Sequence, residues 1–133
     1  MCGIFGGTGI TKKEATNAIN LIKRGEDGIV VKELNKRVVF AARRHLVKIS
    51  GKESKNDKSD QPYISEDKNL FLIFNGEFYN FSKFKEKLKK DNFKFFSSGD
   101  TEVFLNLYKK KGINFLYEKE IDSLFSISIY DNI

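Results

Sequence analysis

The stretch LFLIFNGEFYN, Leu70 to Asn80, falls into three parts. Leu70 to Phe74 is a continuous apolar run, with the length and composition of a buried strand. Asn75-Gly76 follows. On its own, Asn-Gly is a favoured hairpin dipeptide, so a plain turn is one reading of the pair and a chemical role is the other. Asn80 then offers an N-cap for a helix over Phe81 to Lys90, with Phe84 and Leu88 facing inward.

The flanking sequence extends this pattern. Gly3 to Thr8 is short, apolar and glycine-rich, consistent with a buried first strand. Thr11-Lys12-Lys13-Glu14 is a capping box that opens a helix. Ala15, Ala18, Ile19 and Ile22 follow at helical spacing, and the helix should end near Lys23. Ile29 to Val31 and Val38 to Ala41 read as strands joined by a turn at Leu34-Asn35-Lys36. Residues 51–60 are polar and without periodicity, hence a surface loop. Asp100 is placed to cap a helix over Thr101 to Lys110, with Val103, Phe104 and Leu107 inward. From Leu124 to Tyr130, Phe125, Ile127 and Ile129 alternate with polar residues, a strand period. The order implies one α+β domain over 1–133, with layers of sheet and helix.

Composition narrows the function classes. Of 133 residues, 40% are hydrophobic and 32% charged, an ordinary globular balance. The formal charge of +6 comes from Lys spread along the chain. No Arg-rich or aromatic-interleaved basic block appears, so a solvated surface is favoured over nucleic-acid binding. The single cysteine excludes an internal disulfide. No secretory signal or bilayer-length apolar run is present, so a soluble, cytoplasmic protein without a membrane partner is expected.

The landmarks in order are MCGIFG from Met1, RGEDG at Arg24 to Gly28, FAARRHL at Phe40 to Leu46, QPY at Gln61 to Tyr63, NGEFYN at Asn75 to Asn80, SGDTEVFL at Ser98 to Leu105 and FSISIYD at Phe125 to Asp131. This series resembles the class II glutamine amidotransferase domain of glutamine-hydrolysing asparagine synthetases. The resemblance implies a four-layer α-β-β-α N-terminal-nucleophile hydrolase sandwich. It also implies hydrolysis of L-glutamine to glutamate and ammonia, as in asparagine biosynthesis. Cys2 would be the nucleophile once Met1 is removed, a step favoured by a small second residue. A free thiol, with pKa about 8.5, is mostly protonated at neutral pH. An α-amine titrates at about 7.7–8.0, so a fraction is unprotonated and serves as general base within the same residue.

The resemblance assigns the remaining roles. The Asn75 side-chain amide and the Gly76 N–H would hold the oxyanion, where one donor contributes about 2.7–4 kcal/mol. Arg44 would hold the glutamine carboxylate by a bidentate pair. A one-residue shift of register would put His45 there instead. Glu77 and Asp100 would accept from the α-ammonium. No metal is called for. ATP and magnesium would belong only to a synthetase domain, and no SGGxDS-type loop occurs in this chain. Ammonia would pass to such a domain or subunit, and an oligomer is compatible with this arrangement.

The chain also departs from the pattern. Glu26 stands where relatives carry proline, removing a φ restraint from the RGEDG loop. Lys23 and Ala42 stand where relatives usually have histidine, and His45 is read as structural. Relatives continue with further strands beyond the FSISIYD run, so the second sheet is expected to lack its C-terminal part. The last strand would then be an unpaired edge or lack neighbours. The alternative reading is a truncated or decayed domain that binds glutamine or a partner without turnover. A purely basic binding module is disfavoured by the ordered motifs.

Overall fold

The computed structural model describes residues 2–44 and 60–132. The elements are β1 (Gly3–Thr8), α1 (Lys12–Leu21), β2 (Gly28–Asn35), β3 (Val38–Arg44), β4 (Tyr63–Ile64), β5 (Leu70–Phe78), α2 (Phe81–Lys90), α3 (Thr101–Lys111), a 3-10 helix (Gly112–Tyr117) and β6 (Ser123–Asp131). They form an α+β fold with two three-stranded antiparallel sheets, ordered β1-β3-β2 and β4-β5-β6.

Alternation along the strands assigns each face. Val38, Phe40 and Ala42 of β3 form one buried cluster with Ile73 of β5, and Ile4, Leu34, Phe71 and Tyr130 pack against it. The other face of β3 carries Val39 and Ala41, also buried, and α1 lies against this sheet through Ala15 and Ile19. A larger cluster gathers Leu70, Leu72, Phe74 and Phe78 of β5 with Phe84 and Leu88 of α2 and Val103, Phe104 and Leu107 of α3. Phe104 stacks on Phe78 with centroids 4.5 Å apart and touches Phe74, Phe115 and Phe125. Each such side chain removed from water contributes about 1.5–3 kcal/mol.

Several sequence expectations change here. The Asn75-Gly76 pair is not a turn. β5 runs through it to Phe78, pairing Asn75 with Ser126 and Gly76 with Phe125. The final strand pairs with β5 along its whole length, and among the described residues it has no neighbour on its other side, as one of the two expectations held. β1 is also an edge strand and mostly half-exposed rather than buried. The first hairpin turns at Lys36-Arg37, where Asn35 Oδ1 accepts from the N–H groups of Arg37 and Val38. α1 ends at Leu21, two residues early.

The Thr11 capping box forms as read, with Glu14 N–H donating to Thr11 Oγ1 at 3.2 Å and Thr11 N–H to Glu14 Oε2 at 2.8 Å. The other two proposed caps do not form. Asn80 precedes α2 without a capping bond; its Nδ2 donates to Glu120 O at 2.7 Å and its Oδ1 accepts from Asp122 N–H at 3.1 Å. Asp100 occupies the N-cap position of α3 but sends its carboxylate to β5. Of the expected 51–60 loop, residues 51–59 lie outside the described residues, as does His45.

Candidate active site

The site is built at one end of the space between the sheets. Asn35 Nδ2, at the β2–β3 turn, hydrogen-bonds Tyr130 Oη, and Tyr130 lies opposite Phe71 in the β5–β6 ladder. The Phe71 end of β5 therefore sits at the hairpin turn. Further along β5, Ile73 and then Asn75 and Glu77 share the face turned to the first sheet. They approach the opposite end, where β3 finishes at Arg44. Gly3 pairs with Arg43, so Cys2, half-exposed, comes level with Arg44. Arg44 shares its face of β3 with Ala42, toward the second sheet.

Asn75 itself is notable for what it lacks. Its Oδ1 is buried and has no hydrogen-bond partner among the described residues. Leaving such an atom unpaired costs about 1–3 kcal/mol; being an acceptor, this oxygen cannot hold an oxyanion, and only the Nδ2 end of the amide could donate to one. Gly76 has φ +155°, and a Cβ there would meet Leu124 O at 2.1 Å. The close approach that demands glycine is thus made by β6.

Asp100 reaches the same stretch from α3, with Oδ2 accepting from Phe78 N–H at 3.1 Å. Burial raises its carboxyl above the ordinary aspartate value of 3.8, against the lowering effect of the Phe78 N–H and of nearby backbone amides. Glu77 is exposed on β5. Arg44 forms an ion pair with Asp60.

Two residues had no role in the sequence reading. Arg43 points to the α1 side, where Nε donates to Gly25 O at 2.8 Å and Nη1 to Ile22 O at 2.7 Å. Together with Asp27 N–H donating to Arg44 O at 3.1 Å, this ties the RGEDG loop to the end of β3. Gly25, at φ +78°, lies so close that a Cβ would meet Arg43 O at 2.5 Å. These contacts tether the loop on both sides of Glu26. Gln61 is buried, and its Oε1 accepts from Phe74 N–H at 2.8 Å. The QPY landmark marked its position but not this contact.

Strand register thus puts Cys2 and Arg44 at the end of the first sheet toward which Asn75, Gly76 and Glu77 run on β5, and Asp100 bonds β5 at Phe78. A separate open cleft of about 320 Å³, lined by residues including Tyr63, Asn92, Phe96 and Asn106, contains none of them. The chemistry-bearing side chains, not this hollow, point to the candidate site.

A cysteine at the start of β1 and an asparagine-glycine pair within β5 are residue types that chemistry at an amide uses. The sequence profile of the glutamine amidotransferase domain family matches residues 1–133, and the chain belongs to that family. Among its relatives, a glutamine-hydrolysing asparagine synthetase of Brassica oleracea is 30% identical over 140 residues, covering 98% of this chain and 22% of the relative. Glutamine-hydrolysing asparagine synthetase 2 of Bacillus subtilis (strain 168) is 39% identical over 71 residues, 53% of this chain and 9% of the relative. A probable asparagine synthetase of Schizosaccharomyces pombe is 42% identical over 71 residues, 53% of this chain and 12% of the relative. The chain therefore spans between 9% and 22% of the length of these proteins. Among the described residues, no helix is long and apolar enough to cross a membrane.

Proposed function

We propose that this domain hydrolyses L-glutamine to glutamate and ammonia within an N-terminal-nucleophile sandwich, its layers being α1, the two sheets, and α2 with α3. This reading is supported by the strand registers, which set Cys2 and Arg44 at the end of the first sheet toward which Asn75 and Gly76 run on β5, with Asp100 bonded to β5 at Phe78.

After loss of Met1, the α-amine of Cys2 takes the thiol proton as Sγ attacks the glutamine amide carbon. The Asn75 amide and Gly76 N–H stabilise the oxyanion. Its collapse breaks the C–N bond, and the proton held by the α-amine leaves with ammonia. Water then attacks the thioester, regenerating the thiol and releasing glutamate. Arg44 holds the substrate carboxylate, and Glu77 and Asp100 accept from its ammonium. Ammonia passes to a synthetase domain or subunit.

The test is glutamate and ammonia release from the purified chain, with Cys2→Ala as control and mass spectrometry of the N-terminus. Loss of release in Cys2→Ala, with Met1 absent from the active material, supports the reading. Asn75→Ala should lower kcat by about 10²–10³-fold. Equal release from the Cys2→Ala protein, or activity in molecules that retain Met1, would discard it. Glutamine binding without release would favour a domain that binds but does not turn over.

A further inference from the structure

Among the described residues, the edge of β5 away from β6 is completed by a strand only in part. β4 is short and pairs only Tyr63 with Leu72 and Ile64 with Phe71. In a strand, alternate N–H groups point to the same side. On this edge those are the N–H groups of Leu70, Leu72, Phe74, Gly76 and Phe78. Extending the β4–β5 register by two residues brings Gln61 opposite Phe74, where its side chain accepts the N–H in place of a backbone carbonyl. Ser65 Oγ accepts from Leu70 N–H at 2.9 Å, and Asp100 Oδ2 accepts from Phe78 N–H. Side chains thus stand in for a strand at both ends of β4, and the Gly76 N–H falls between two of them.

We infer that Gln61 is a positioning residue. It holds the β5 edge at Phe74, one residue before Asn75, so that the Gly76 N–H and the Asn75 amide keep a fixed aim. The position is built for this, because Gln61 is 6% exposed and Phe74 is 3% exposed, so neither partner can turn to water instead. Gly76 sits at φ +155° against the β6 backbone and has no side chain of its own to restrain it. An edge fixed at Phe74 and Phe78 is what keeps the intervening peptide from rotating. This inference rests on the proposed glutaminase reading for its kinetic consequence, but not for its structural one.

The experiment compares Gln61→Met, which removes the acceptor at similar length, with Gln61→Glu, which retains one. Gln61→Met should lower kcat for glutamine hydrolysis about tenfold or more, with KM changed less than about threefold, since a small displacement of aimed groups is costly. Gln61→Glu should recover most of kcat. Unchanged kcat in Gln61→Met, or a change confined to KM, would overturn the assignment. Amide hydrogen exchange at Phe74 and Gly76, followed by NMR without substrate, separates this inference from the glutaminase reading. Faster exchange at both amides in Gln61→Met supports positioning even where the wild type releases no ammonia. Unaltered exchange at Gly76 overturns it whatever the activity. Should Gln61→Met not fold, Gln61→Asn, one methylene too short to reach Phe74, is read in the same way.

Discussion

At Gly76 a missing side chain is worth more than most present ones. A Cβ would lie 2.1 Å from Leu124 O and 2.7 Å from Phe125 Cα, both backbone atoms that cannot swing away. Gly76→Ala should therefore force β5 and β6 apart and destabilise by about 2 kcal/mol or more, measured by urea unfolding. A cost below about 0.5 kcal/mol would mean the strands tolerate the methyl and the close approach is not required. Asp100 offers a second test at this scale, in pH. Burial raises its carboxyl above 3.8, so the folded protein keeps this proton where the unfolded chain has released it. The folding contribution of this group is thus most favourable at low pH, and it declines as pH rises through the raised value. The proposed substrate role runs the opposite way, because the ionised carboxylate pairs with an α-ammonium far more strongly than the neutral acid does. KM for glutamine should rise as pH falls, with a midpoint above 3.8, and Asp100→Asn should raise KM and flatten the curve. A wild-type KM that stays level down to pH 4 would remove Asp100 from the substrate pocket.

Helix starts show how far local sequence reaches and where it stops. Thr11 caps α1 as its capping box requires, because both partners lie within three residues. Asn80 looks equally suited, yet its amide spans to Glu120 and Asp122, more than thirty-five positions along the chain, and that competing pair of bonds is invisible to any local pattern. The two sites should respond differently to substitution. Thr11→Ser should be nearly neutral and Thr11→Ala should cost about 1 kcal/mol. Asn80→Ser, a good cap residue, should cost as much as Asn80→Ala, about 1–2 kcal/mol, because a hydroxyl cannot make both bonds. If serine rescues Asn80 in thermal melts, the side chain is capping after all. The same limit explains Asn75-Gly76, which is locally a hairpin signal and is drawn into a strand by its neighbours in β6. The strands and helices with strong apolar periodicity, β1, β3, α2, α3 and β6, were legible. The two-residue β4 and the 3-10 helix were not, since neither is long enough to carry a period. Candidate site residues were legible only as ordered motifs, and Gln61 and Arg43 emerged only from contacts between elements.

The molecule holds its site across two sheets joined by a small core. Ile73 is the β5 residue at the centre of that junction, 1% exposed among Val38, Phe40 and Ala42. The second core, around Phe104, α2 and α3, is larger and lies wholly on the far side of the second sheet. Removing side-chain volume from either core should cost similar stability, but only the Ile73 cluster packs β3 of the first sheet against β5 of the second. Ile73→Ala and Leu88→Ala should each destabilise by about 2–5 kcal/mol. In Leu88→Ala, glutaminase activity should fall only in proportion to the folded fraction. In Ile73→Ala, the folded molecules themselves should lose at least tenfold in kcat if the proposed roles hold, because the proposed nucleophile and oxyanion donors would come from different sheets whose spacing has relaxed. The measurement is activity at a temperature where both variants remain mostly folded, normalised by the folded fraction from near-ultraviolet circular dichroism. Equal activity per folded molecule in the two variants would show that the inter-sheet core is not what registers the two halves of the site.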